Sequence, residues 1–108
     1  MTKRKKNPRL TPADLTVEQR KAREDIKRQA KLFCIDLGKH IAEIRVACGL
    51  SQDRVSLEAG LSRAALSRIE AGKVDPQAST LERISEVLSV PLSKLTAVKK
   101  KGGWFTEQ

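Results

Sequence analysis

Apolar residues recur through the first half of the chain at Ala22, Ile26, Ala30, Phe33, Leu37, Ile41, Ile44 and Cys48, in steps of 4, 4, 3, 4, 4, 3 and 4. Three- and four-residue steps keep one face of an α-helix apolar, and their eleven-residue period holds that face in line over many turns. The pattern predicts one long helix. Two starts compete for it. Thr11-Pro12-Ala13-Asp14 offers a threonine cap, a proline at the first position and a carboxylate at the third, and Thr16-Val17-Glu18-Gln19 offers a second capping box five residues on. Gly38 removes a side chain but need not break the helix, at about 1 kcal/mol against alanine.

The pattern then shortens. In LSQDRVSLEAGLSRAALSRIEAG, residues 50–72, Ser51 is a good N-cap, and Leu50 and Val55 have the spacing of a hydrophobic staple. Val55 and Ala59 share a buried face, with Leu57 beside them. Gly60 ends this helix where positive φ is needed. Ser62 caps the next one, whose stripe is Ala65, Leu66 and Ile69, and Gly72 stops it. With Leu66 and Ile69 inward, Arg63, Ala64, Ser67 and Arg68 face out. Ser79 and Glu82 read as a capping box for a fourth helix at about 80–88, with Leu81, Ile84, Val87 and Leu88 inward; Asp75-Pro76 lies in the loop before it. Pro91 opens a short fifth helix carrying Leu92 and Leu95.

Two helices joined by a turn on one glycine form the helix-turn-helix unit, whose second helix enters the DNA major groove. An arginine at the position of Arg63 suits bidentate contact with guanine, Ala64 a thymine methyl, and Ser67 either partner; Arg68 reaches a phosphate as readily as a base. Lys73, in the following loop, is placed for a phosphate. Glu70 and Arg54 read as ion-paired or solvated surface.

Residues 38–95 resemble the lambda-repressor-like (Cro/cI, Xre-type) helix-turn-helix family. The resemblance rests on Gly38, Ile41, Ile44 and Arg45, then Gly49-Leu50-Ser51-Gln52, Gly60-Leu61-Ser62, Ser67-Arg68-Ile69-Glu70, Gly72-Lys73, Pro76, Leu81 and Leu92 to Leu95. It implies an all-α, five-helix domain, with the recognition helix at 63–70 and helix two at 52–59. It also implies that Gln52 touches a phosphate and braces the recognition helix. Gln52, Ser62, Arg63, Ala64, Ser67, Arg68 and Lys73 are therefore the candidate DNA-contacting set. The expected organisation is a basic arm over 1–10, a helical extension over 11–37, the helix-turn-helix domain over 38–96 and a basic, aromatic tail over 97–108.

Charge sharpens the division of labour. The chain carries a net +9 in 108 residues, of which residues 1–37 hold +6, residues 38–98 only +1 and residues 99–108 the remaining +2. Non-specific affinity for DNA comes from neutralised phosphates. A nearly neutral recognition domain leaves that grip to Lys3, Arg4, Lys5, Lys6 and Arg9, and to Lys99–Lys101, as arms that track the backbone or enter the minor groove.

Three aromatics and no tyrosine leave the core to aliphatic residues. No apolar run approaches the roughly 18 residues of a membrane span, and the basic start lacks a signal peptide's apolar stretch, so a soluble, cytoplasmic protein is expected. Cys34 and Cys48 are read as two small buried thiols, and His40 as a partnerless surface residue. With no histidine–carboxylate constellation, metal-ligand spacing or phosphate loop, neither an enzyme nor a cofactor is expected. The leading expectation is a dimeric transcriptional regulator of double-stranded DNA, a repressor or autoregulator. It pairs through the stripe at Ile26, Ala30 and Phe33, or through C-terminal helices as relatives do. The alternative is an antitoxin or adaptor that binds a protein partner and uses DNA only for autoregulation. Trp104 and Phe105 are large aromatics with no assigned contact: the domain, a partner subunit and another protein all remain open.

Overall fold

A computed structural model of the protein describes residues 9–98, and within them every regular element is helical. A 3-10 turn at Pro12–Asp14 precedes α1 (Val17–Ala47), α2 (Gln52–Ala59), α3 (Arg63–Glu70), α4 (Ala78–Leu88) and α5 (Leu92–Leu95). Both candidate starts are real, for different elements. Thr11 donates from its backbone N–H to Asp14 Oδ2 at 2.7 Å, closing only the turn. Thr16 caps the long helix, its hydroxyl accepting from Gln19 N at 3.1 Å while its own N–H donates to Gln19 Oε1 at 2.9 Å.

α1 runs unbroken through Gly38, past the expected boundary between extension and domain. The glycine is needed for contact rather than for a bend. A Cβ there would run into the Ile69 carbonyl oxygen and stand 2.6 Å from that of Glu70. α1 therefore lies with its backbone directly on the last turn of α3. Gly72 answers from the other side, where a Cβ would lie 2.6 Å from Ile35 Cα. At Gly60 the requirement is conformational: φ is 70°, left-handed, and the turn between α2 and α3 closes there.

α3 packs between α1 and α2, α4 backs α2, and α5 crosses from α4 to α1. The core they enclose is aliphatic, with Ile41, Val55, Leu66, Ile84 and Leu95 fully buried, one from each helix. Phe33, Ile44, Leu50, Leu61 and Leu81 pack around its edge. Only the C-terminal half of α1 takes part: Leu37 and Ile41 are buried, whereas every residue from Val17 to Leu32 is exposed. Among the described residues no helix is long and apolar enough to cross a membrane.

Four local expectations are corrected. Leu57 is 78 % exposed, because it lies across α2 from the face that Val55, Ser56 and Ala59 bury. α4 begins at Ala78 rather than near Thr80, and its N-cap is Gln77, which makes no side-chain cap bond. With Leu81, Ile84 and Leu88 anchored, each residue added at the helix start gains a backbone bond such as Leu81 N to Gln77 O, until Pro76 intervenes. The thiols are not both buried: Cys34 is half-buried, and Cys48, the C-cap of α1, is exposed. Burial, and after it the Asp75 carboxylate, pushes the Cys34 thiol above its ordinary pKa. His40 does have a partner, its Nε2 donating to the Lys94 carbonyl at 2.9 Å and tying α1 to α5.

Candidate nucleic-acid interface

The site is built on α3. Ser62 caps it, accepting from Ala65 N at 3.0 Å, and this engages the serine hydroxyl in the fold. Leu66 and Ile69 pin one side of the helix into the core. A period of 3.6 residues then leaves Arg63, Ala64, Ser67 and Arg68 together on the opposite, exposed side. Lys73 stands exposed beyond the far end of α3, after Gly72 turns the chain at φ 71°. Of the seven candidates, six are thus exposed on α3, its cap and its following loop.

Gln52 is different. It is half-buried at the first position of α2, and its Nε2 donates to Glu70 Oε1 at 2.9 Å. Glu70 also receives Arg45, whose Nε donates to Oε2 at 2.7 Å and whose second guanidinium arm donates to Oε1 at 3.1 Å. The remaining arm of Arg45 donates to the Leu50 carbonyl at 2.8 Å. Glu70 keeps 7 % of its side-chain exposure and Arg45 14 %, so this is an interior ion pair, not a solvated one. Three polar side chains from α1, α2 and α3 hold the end of α3 opposite Arg63. Glu70 was legible as ion-paired, but its depth and the role of Arg45 were not. The signal available was that all three belong to the motif carrying the family resemblance.

The exposed end is held loosely by comparison. Arg63 pairs with Asp53 in the first turn of α2 at 3.4 Å, both side chains being well exposed. Such a pair contributes little and leaves the guanidinium able to turn to another acceptor. Asp53 was not singled out from the sequence, since a single acidic residue in the first turn of a helix carries no distinguishing pattern. Arg54 pairs with Glu58 on the outside of α2, as expected for surface charge. Arg83 of α4 donates to the Gly60 carbonyl at 3.3 Å and so supports the turn itself.

The arrangement is a rigid, half-buried helix that presents two arginines, a serine and a methyl group on one face, with a lysine at its end. It defines a helix-turn-helix protein. The HTH_3 family model, described as Helix-turn-helix, matches residues 41–95, about half of the chain, and the protein belongs to that family. It is 41 % identical over 64 residues to the HTH-type transcriptional regulator PuuR of Escherichia coli (strain K12), and equally to that of Shigella flexneri. The match covers 59 % of this chain but 35 % of either relative, so the chain spans about a third of the length of the proteins it matches. Among solved structures it resembles an HTH_3 family transcriptional regulator from Vibrio cholerae (TM-score 0.59, 29 % identity, covering 63 % of this chain and 38 % of that one). It shares its fold with the restriction-modification controller protein C.AhdI from Aeromonas hydrophila (TM-score 0.57, 24 % identity, covering 57 % of this chain and 94 % of that one).

Proposed function

We propose that the protein is a sequence-specific, double-stranded DNA-binding transcriptional regulator that reads the major groove with α3 and acts as a dimer in the cytoplasm. One observation carries this reading. The core takes Leu66 and Ile69 and leaves Arg63, Ala64, Ser67 and Arg68 as a continuous outward face on a helix braced at its far end. The PuuR relatives are named transcriptional regulators, which supports the same role here.

In this role Arg63 leaves Asp53 and takes a guanine O6 and N7, Ala64 meets a thymine methyl, and Ser67 bonds a neighbouring base. Ser62, Arg68 and Lys73 line the phosphates on either side, and Gln52 offers its remaining polar atoms to the backbone while holding Glu70. A dimer sets two such helices one turn of DNA apart. The work is binding and not catalysis. The arm residues Lys3, Arg4, Lys5 and Lys6, which lie outside the described residues, add sequence-independent grip.

Selection of bound duplexes from a random pool should enrich a palindrome with half-sites about one helical turn apart. Arg63→Ala should relax the preference at one position per half-site, weakening binding about tenfold for about 1.4 kcal/mol. Lys73→Ala should weaken all sequences alike and flatten the salt dependence. A pool that enriches no sequence would instead favour the protein-binding adaptor.

A further inference from the structure

The exposed half of α1 carries an apolar hollow of about 460 Å³, walled by Ile26, Ala30, Phe33 and Cys34 and rimmed by Asp25 and Asp75. A cavity of about 150 Å³ already takes a benzene ring, so this one has room for a large aromatic side chain. Ile26 is 69 % exposed there, a costly position for an apolar residue with nothing over it.

The charges beside the stripe are sorted. Helical spacing puts Glu18, Asp25, Asp36 and Glu43 on one side, in steps of 7, 11 and 7, and Arg20, Arg23, Lys27 and Lys31 on the other. That pattern makes a second α1 a poor cover. In an antiparallel pair each flank faces its own counterpart, acid on acid and base on base. In a parallel pair the charges match, but Leu37 and Ile41 of the same stripe are buried in their own domain, which blocks the neighbouring helix.

The acidic flank leads to a different occupant. Ala97 and Val98 lie against Asp36, His40 and Glu43, around a second hollow. The next residues are Lys99-Lys100-Lys101, then Gly102-Gly103, then Trp104-Phe105. Phe33 and Gln29 sit about 4.5 and 10 Å along α1 from Asp36. Six residues beyond Val98 span up to about 20 Å, so Trp104 reaches the apolar hollow with chain to spare.

We propose that residues 99–105 of this same chain cover α1, with the three lysines along Asp36 and Asp25 and the Trp104-Phe105 pair in the hollow at Ile26, Ala30 and Phe33. α1 then carries its own C-terminal strap, and the far half of its stripe is closed within one protomer.

Trp104 is the single tryptophan of the chain, and there is no tyrosine, so the intrinsic fluorescence of the full chain reports this residue alone. The expected emission is blue-shifted from that of indole in water and independent of protein concentration. Ile26→Asn, at a site exposed enough to leave folding intact by circular dichroism, should move it to the red and raise acrylamide quenching at least twofold. Replacing Lys99, Lys100 and Lys101 by glutamate should do the same, and should speed alkylation of Cys34, which lines the hollow. A water-like emission indifferent to both variants overturns the proposal. So does a blue-shifted emission that reverts on dilution, which would give the hollow to a second copy.

Discussion

Replacing Gly38 with alanine is expected to destabilise the protein by about 2 kcal/mol, although alanine is the better helix former. Elsewhere in a helix the change would gain about 1 kcal/mol. Here the new methyl meets two backbone carbonyl oxygens at the end of α3, and backbone cannot rotate away as a side chain can. Overpacking of this kind costs about 3 kcal/mol at the upper end of its usual range, which the propensity gain only partly offsets. Thermal unfolding should show a fall in Tm of about 10 °C for a domain this size. Gly49 is the control. It has φ 72° but nothing within 4 Å of a built Cβ, so alanine there meets only backbone strain of about 1 kcal/mol. Equal losses at the two sites would mean that the contact between α1 and α3 relaxes freely. Because the Gly38 methyl lifts α1 off the helix proposed to read DNA, operator affinity should fall with stability at Gly38 and not at Gly49.

Glu70→Ala is expected to cost more, about 3 to 5 kcal/mol. It strips a bidentate partner from a guanidinium that keeps 14 % of its exposure, and it also frees the Gln52 amide. An interior charge left alone costs far more than the net worth of the pair that held it. Removing both ends together should therefore be much milder. An Arg45→Met, Glu70→Leu double variant should recover most of the loss in urea denaturation, since replacing a buried ion pair by apolar residues is often close to neutral. Additive losses in that cycle would show that the pair acts independently and would refute the brace. The double variant should nonetheless bind its operator less selectively, because apolar packing fixes the end of α3 less directionally than three converging hydrogen bonds.

The helices were readable because their signals are local. Ser51, Ser62 and Thr16 cap where a serine or threonine precedes an apolar repeat, and Leu66 and Ile69 set the exposed face of α3 by spacing alone. Errors arose where a local signal had a tertiary competitor. The Ser79 box lost to the backbone bonds gained by extending α4 to Gln77. Leu57, apolar in a helix too short to fix its own phase, turned outward once Val55 and Ala59 were anchored. Contacts between residues far apart in sequence left no pattern at all: His40 with the Lys94 carbonyl across 54 positions, and Arg45 with Glu70 across 25. Gly38 looked like a tolerated weakness of a long helix, because the carbonyls that require it belong to α3.

That same glycine gives α1 a mechanical character. From Val17 to Gly38 the helix is a stiff arm about 31 Å long, resting bare backbone to bare backbone on the last turn of α3. With Gly38 as fulcrum, a displacement of about 2 Å at the free tip is a tilt of only about 4° at the contact, a movement within the range that packed helices absorb by small sliding. Whatever grips residues 17–33 is thus geared down before it reaches the recognition surface. Large motions of a bound partner become fine adjustments in the angle at which Arg63 and Ser67 are presented.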